Sequence, residues 1–303
     1  MTSIEIILQK IRANNPVHAD KLESNCSDLG EKYKNSANVF FDKYIIYLEK
    51  NAMTLDFGIN CYLHMIDDML EERFKFIRSG NYSNTSFEDV EKRIYGNSEI
   101  MNYHMHGLVL AQFLWFDQYE RILFFKENIE KYIINKNKYL EIGGGHGLYI
   151  FEALNTLPEI KQFDLVDISQ SSLNLAKGII EDDRINYYLK NIFDFSEDEK
   201  YDFVTMGEVL EHVEQPLDLL KKAGDLLSDE GVFYITTPIN APMIDHIYLF
   251  NNEGEIREMI NQAGFDIMEE KIVVSEKISA EKAAKHKAPV MYAAFLKKIK
   301  KII

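Results

Sequence analysis

Residues 139–149 read YLEIGGGHGLY. Gly143, Gly145 and Gly147 alternate with other residues, directly after one apolar run and before another. Strand, glycine loop, helix is a geometry in which a backbone approaches a ligand closely. Glycine allows positive φ and carries no Cβ to block approach. The following helix offers free N–H groups and the positive end of its dipole. The dinucleotide fingerprint Gly-x-Gly-x-x-Gly fails when counted from Gly143, because position 148 is leucine, and no Gly-Lys-Ser/Thr follows as in a P-loop. Glu141 stands two residues ahead of the glycines. A carboxylate repels a pyrophosphate and attracts an ammonium, so the loop reads as a cradle for a cofactor with a cationic amino-acid end. Farther along, Glu211 and His212 follow Glu208 by three and four residues, a spacing that shares one face of a helix. His212 could act as a general base near neutral pH.

The elements that must carry these residues change character near residue 136. Before it the patterns are helical: 36–50, 55–78, and a long stretch from 98 to 134 that reads as two helices. SGNYSNTSFED is the clearest loop, with Ser86 as the cap of the next helix. After 136, strands alternate with helices. KYLEI, FDLVDIS, INYYLKN, YDFVTMG, VFYITTP and FDIMEEKIVV read as six strands, with a seventh, antiparallel one in APVMYAAFLKK. The expected fold class is α/β: a doubly wound, mostly parallel seven-stranded sheet of Rossmann-like type, preceded by an all-helical domain. The expected division is 1–136 helical and 137–303 cofactor-binding.

The balance of the chain narrows the partners. Across 303 residues the formal net charge is −15. That opposes binding to nucleic acid, whose phosphates call for Lys and Arg, and discourages docking on anionic membranes. Neither nucleic acid nor a membrane is expected as a partner. Two cysteines, Cys26 and Cys61, form no zinc spacing. No signal peptide or transmembrane run is evident, and a cytoplasmic location is the default expectation.

With Glu141-Ile142-Gly143-Gly144-Gly145-His146-Gly147 in place, the chain resembles the class I S-adenosylmethionine-dependent methyltransferases, whose first motif is an acidic residue, any residue, then Gly-x-Gly-x-Gly. The resemblance covers roughly 136–270. Asp167 ends the second strand 20 residues beyond Gly147, where such enzymes hold the ribose hydroxyls. Asn191 takes the place of the adenine-contacting residue, often Asp, with Asp194 as fallback. The segment VLEHV resembles the small-molecule group related to the ubiquinone O-methyltransferases. The resemblance thus implies S-adenosyl-L-methionine as cofactor and S-adenosyl-L-homocysteine as product. It implies cofactor contacts at Glu141, Gly143, Gly145, Gly147, Asp167, Ile168, Asn191, Ile192 and Glu208.

Methyl transfer from a sulfonium is an in-line displacement, so the enzyme mainly positions the acceptor and removes its proton. His212, His246 and His104 are the candidate catalytic bases. Tyr103, His106, His64 and Asn240 are the candidate substrate contacts. Aromatic residues at helical spacing also make ordinary core, but histidines in an apolar helix need polar partners. No metal is expected; the alternative is a divalent ion held by Glu208, Glu211 and His212. His146 reads as a tolerated residue in a variable slot or as a contact to the methionine carboxylate. The helical segment is expected to cap the acceptor, to form a homodimer interface, or both. A small-molecule acceptor is favoured, with O-methylation slightly ahead of N- or C-methylation. The competing readings are a protein methyltransferase and a non-catalytic cofactor-binding regulator or scaffold.

Overall fold

KYLEI sits at the centre of the sheet. In the computed structural model, which describes residues 1–132, 137–196 and 200–300, seven strands form one sheet in the order β3-β2-β1-β4-β5-β7-β6. They are β1 (Lys138–Ile142), β2 (Gln162–Asp167), β3 (Ile185–Leu189), β4 (Tyr201–Gly207), β5 (Leu227–Ile239), β6 (Phe265–Val274) and β7 (Val290–Lys298). The first five pair in parallel, and β7 enters antiparallel between β5 and β6. Strands β1, β2 and β4 are short apolar runs because helices cover both their faces. β5 begins earlier than expected. Asp229-Glu230-Gly231, ahead of VFYITTP, lies within it, where the β4–β5 register shifts.

The covering helices are α8 (Leu148–Thr156), α9 (Gln170–Ile180), α10 (Pro216–Leu226) and α11 (Glu253–Gln262), with a short α12 (Ala280–Lys285). The segment before the sheet is helical: α1 (Ser3–Asn14), α2 (Pro16–Cys26), α3 (Gly30–Lys50), α4 (Leu55–Ser79), α5 (Phe87–Val90), α6 (Ser98–Leu114) and α7 (Phe116–Asn128). The expected change of character at 136 falls at 133–136, outside the described residues.

Two contacts explain how the helices reach the site. At Gly107 a Cβ would stand 2.9 Å from Met65 Cβ, so glycine lets α6 settle against α4. Loop 80–97 opens with Ser86 capping Asp89 N–H and ends in a π-turn at 91–95. The loop braces the wall after β5: Tyr82 Oη accepts from Ala241 N–H at 3.0 Å, and Asn84 Nδ2 donates to the Ile244 carbonyl at 2.8 Å. One face of the sheet and the helical segment share a continuous core that includes Phe40, Phe113, Phe125, Phe203, Tyr234 and Phe295. The opposite face packs Leu140, Val204, Phe233 and Leu296 with residues of α10 and α11.

Candidate active site

The glycine loop takes the conformation its spacing suggests. Gly143, Gly145 and Gly147 have φ of 65°, 53° and 72°. A Cβ at Gly143 would stand 2.6 Å from Val209 Cγ2, and one at Gly147 2.6 Å from Ile180 Cδ1. At Gly145 the nearest neighbour is Met105 Cε at 3.3 Å, which leaves its free face toward the cavity. Asp167 braces the loop: Oδ2 accepts from Gly145 N–H at 3.0 Å and Oδ1 from Ser169 N–H at 2.8 Å. Glu141 is buried, and its Oε2 accepts from Ile150 N–H in the first turn of α8 at 2.7 Å. Burial pushes the Glu141 carboxyl up to about 8, with Asp167 adding to the rise.

These residues open into one cavity of about 980 Å³, which runs from the loop into the helical segment. Ile168, Asn191, Ile192, His146 and Glu208 line it as well. Asn191 Oδ1 accepts from Phe193 N–H at 3.0 Å, fixing the turn after β3. Asp194 is exposed and does not line the cavity. His146 Nδ1 accepts from Leu148 N–H at 3.3 Å, and burial, with Arg121 nearby, depresses its imidazole to about 3. Several lining residues are exposed: Lys190 and Phe193 around the turn after β3, Gln215 and Asp218 at the start of α10, Val17 and Lys21 of α2, Leu70 of α4, and Glu276 after β6.

Arg121 of α7 had no signal in the sequence: it is one charge among Asp117, Glu120, Lys126 and Glu127 in a mixed polar and aromatic stretch. It is buried and lines the cavity. Its Nη1 lies 2.7 Å from Glu208 Oε1 and donates to Thr236 Oγ1 at 3.2 Å; Nη2 donates to Gln112 Oε1 and Gln118 Oε1. Its Nε has no hydrogen-bond partner, nor has the Oη of neighbouring Tyr149. Glu208 itself has φ of 56°, so the chain leaves β4 in a left-handed turn and not in a helix. The expected shared face of Glu208, Glu211 and His212 is therefore corrected. Glu208 turns toward Arg121 and Thr236, while Glu211 accepts from Thr237 Oγ1 at 2.9 Å.

The catalytic candidates do converge. His104, His212 and His246 all line the cavity around Asp245. Asp245 Oδ2 lies 3.5 Å from His212 Nδ1 and 3.7 Å from His104 Nε2. His212 Nδ1 also lies 3.2 Å from the Asp245 carbonyl and 3.0 Å from Tyr95 Oη. A carbonyl can only accept, so Nδ1 carries the hydrogen and Nε2 keeps its lone pair. Burial alone would lower the His212 imidazole; Asp245 and Glu211 outweigh it and hold the group above its ordinary value. Burial holds His104 down, and burial with the His212 charge takes His246 to about 3. His246 Nδ1 donates to the Ala241 carbonyl at 2.6 Å. Ligand atoms of Glu211, His212 and His246 lie within 4.8 Å of one another, a set that could hold a metal ion. It differs from the Glu208 set that the spacing suggested.

Four expected substrate contacts stand elsewhere. His64 is exposed on α4 and stacks on Tyr103 at 4.0 Å; Tyr103 Oη donates to Asp68 at 2.6 Å, and neither residue lines the main cavity. His106 faces α3, its Nδ1 hydrogen-bonded to Tyr44 Oη at 2.7 Å and its ring edge-on to Phe57, and burial depresses it to about 4. Asn240 does not line the cavity; its backbone pairs with Phe250 and its carbonyl accepts from Arg73. Residues 103 and 106 flank His104 by one and two positions, and 100° per residue sends their side chains to other faces of α6.

Among the described residues no helix is long and apolar enough to cross a membrane. Residues 112–270 match the family model for the methyltransferase domain, a little over half of the chain. Ubiquinone biosynthesis O-methyltransferases are among the relatives. The one from Coxiella burnetii (strain Dugway 5J108-111) is 33% identical over 124 residues, 40% of this chain and 51% of that protein. The mitochondrial one from Candida albicans is 32% identical over 103 residues, 32% of this chain and 31% of that protein. The chain thus spans about half or less of the length of these curated relatives. Two solved structures share the fold. The mitomycin 7-O-methyltransferase MmcR has a TM-score of 0.53 at 10% identity, covering 76% of this chain and 67% of that one. The N-methyltransferase NodS from Bradyrhizobium japonicum WM9, in complex with S-adenosyl-L-homocysteine, has a TM-score of 0.51 at 14% identity, covering 72% and 100%. With a Glu-x-Gly-x-Gly-x-Gly loop between β1 and α8, Asp167 closing β2 and a family match across the sheet, the chain belongs to the methyltransferase domain family, in the class I S-adenosylmethionine-dependent group.

Proposed function

We propose that this chain transfers a methyl group from S-adenosyl-L-methionine to a small-molecule acceptor, an oxygen acceptor being favoured. The observation that carries the reading is the single cavity joining the glycine loop to the His104–His212–Asp245 cluster beneath the helical segment. The residues present suit the cofactor. Gly145 offers a face without Cβ, Glu141 a carboxylate for the ammonium, and Asp167 a carboxylate for the ribose hydroxyls. Arg121 Nε and Tyr149 Oη are buried polar atoms without partners, and an anionic carboxylate suits the first of them. Asn191, Ile168 and Ile192 border the place for the adenine. Glu208 keeps Arg121 in position and is no direct cofactor ligand in this reading.

When bound, the cofactor supplies an electrophilic methyl group on a sulfonium. The chain has to orient the acceptor, exclude water and take up a proton. His212 is suited to the proton: Nδ1–H is directed at the Asp245 carbonyl, and Nε2 can accept, with the Asp245 carboxylate 3.5 Å from Nδ1 to favour the resulting imidazolium. Asp245 and Tyr95 position the ring. The mostly apolar cavity wall around Ile66, Met69, Met101, Leu108 and Trp115 favours an acceptor with an apolar body over an exposed protein segment.

The test has two stages. Calorimetry should show S-adenosylhomocysteine binding that Asp167→Ala weakens. A labelled-methyl assay against metabolite extracts should then transfer label to a small molecule. Label recovered in protein alone, or no cofactor binding, would overturn the reading.

A further inference from the structure

Among the described residues, the cations on the cavity wall are Lys21, Arg73, Arg121 and Lys190. Arg121 has Glu208 at 2.7 Å, and Lys21 has Glu276 at 3.9 Å. Lys190 is exposed after β3. Arg73 of α4 is half-buried and meets carbonyls instead: Nη2 donates to His286 at 2.8 Å and Nη1 to Asn240 at 3.4 Å. No carboxylate among the described residues pairs with it, and the rest of its fork of N–H donors has no hydrogen-bond partner there. Burial pulls its value below the ordinary one, and Glu276 and Tyr82 offset part of that. The acids of α4 do not supply the missing charge. Asp67, Asp68, Glu71 and Glu72 do not line the cavity; Lys75 stands 2.8 Å from Glu71 and 2.9 Å from Glu72, and Asp68 accepts from the Tyr103 hydroxyl.

The head of Arg73 stands beside the histidine cluster. Asn240, with φ of 54°, turns the chain as it leaves β5 and gives Arg73 its carbonyl. The next residue, Ala241, accepts from His246 Nδ1 at 2.6 Å and donates to Tyr82 Oη at 3.0 Å. Arg73 lines the cavity together with Met69, Pro242, Met243 and His246, so one cation stands in a mostly apolar stretch of wall. The carboxylate of that stretch, Asp245, is already engaged by His212 and His104. Two carbonyls would be served as well by an uncharged amide; a guanidinium there leaves a positive charge without its counterpart. A carboxylate matches the guanidinium fork through two parallel hydrogen bonds. A single unmatched charge calls for a monoanion, which favours a carboxylate over a phosphate dianion.

We propose that Arg73 receives a carboxylate of the methyl acceptor, which is then an organic acid with an apolar body. The proposal rests on the methyl-transfer reading, and its test reads binding without turnover. The full chain is first saturated with S-adenosylhomocysteine, which fills the place beside Arg121. Benzoate and its neutral analogue benzamide are then titrated by calorimetry into the wild type, Arg73→Gln and Arg73→Lys. The wild type should hold benzoate at least about tenfold more tightly than benzamide, the scale of one charge-assisted pair. Arg73→Gln should erase that preference, Arg73→Lys should keep part of it, and benzamide affinity should be the same throughout. Circular dichroism checks folding; if the glutamine variant does not fold, the lysine variant decides by weaker benzoate binding at equal benzamide binding. Equal binding of the two probes by the wild type, binding of neither, or a preference untouched by substitution of Arg73 would overturn the proposal. Failure of S-adenosylhomocysteine to bind counts against the methyl-transfer reading instead, and the two probes are then compared on the free chain.

Discussion

Arg121 Nη1 and Glu208 Oε1 lie 2.7 Å apart, tying α7 of the helical segment to the end of β4 at the floor of the cavity. Arg121 is almost wholly enclosed, so its removal leaves a carboxylate and two glutamine oxygens without their donor. Arg121→Met is expected to cost about 3 kcal/mol of stability, the usual scale for breaking a buried pair. Glu208→Gln in the same chain should recover part of that loss. Thermal denaturation of the two single variants and the double variant checks this; strictly additive losses would show that the pair is not coupled.

Asp167 braces the glycine loop and should matter to the cofactor both through that loop and directly. Asp167→Ala is expected to weaken S-adenosylhomocysteine binding at least about tenfold, the equivalent of one lost charge-assisted hydrogen bond. Unchanged affinity by calorimetry would remove the ribose assignment.

Glu141 gives a proton count. Burial holds its carboxyl at about 8, so near neutral pH the free protein carries it mostly protonated. An ammonium placed beside it favours the ionised form. Cofactor binding at pH 7 is therefore expected to release up to one proton, and less as pH rises past 8. Binding enthalpies in buffers of different ionisation enthalpy measure this; proton uptake at pH 7 would contradict it.

His212 works as a base only when neutral, and Asp245 and Glu211 hold its folded value above 6.5. Turnover should rise with pH through that raised value and then level off. His212→Asn should lower the rate by roughly a hundredfold and flatten the limb. A chelator separates the other use of the site: loss of activity on dialysis, restored by a divalent ion, would assign Glu211, His212 and His246 to a metal.

His106 predicts an acid-sensitive step in stability. It is buried beside Tyr44 and Phe57 and depressed to about 4, whereas the unfolded residue titrates near 6.5. Its contribution is complete above pH 6.5 and is lost as pH falls toward 4, amounting to about 3 kcal/mol. Urea unfolding at several pH values should show a steeper slope in the wild type than in His106→Phe, since buried His146 and His246 contribute to both.

What was legible in the sequence was local. Gly143, Gly145, Gly147, Glu141 and Asp167 act within a strand, a turn and the next strand, so spacing alone brings them together. His212 and His246 stood out by residue type and by position after strand ends, His104 by residue type alone. Their shared partner Asp245 adjoins only His246 in sequence, so spacing does not link it to the other two. Arg121 was not legible, because its meaning arises from a contact between segments 87 residues apart. Nor was the turn at Glu208, since a left-handed non-glycine residue leaves no mark on spacing. Tyr103 and His106 misled because α6 is apolar nearly all round, and such a helix does not say which face meets the cavity.

Exposed residues from distant parts of the chain, Phe193 after β3 and Val17 of α2, line the same cavity. Entry of nucleoside and acceptor past different members of that set is expected to give random loading in steady-state rates, with spent cofactor exchanging while an acceptor is still seated. Strictly ordered loading would point to a shared entrance.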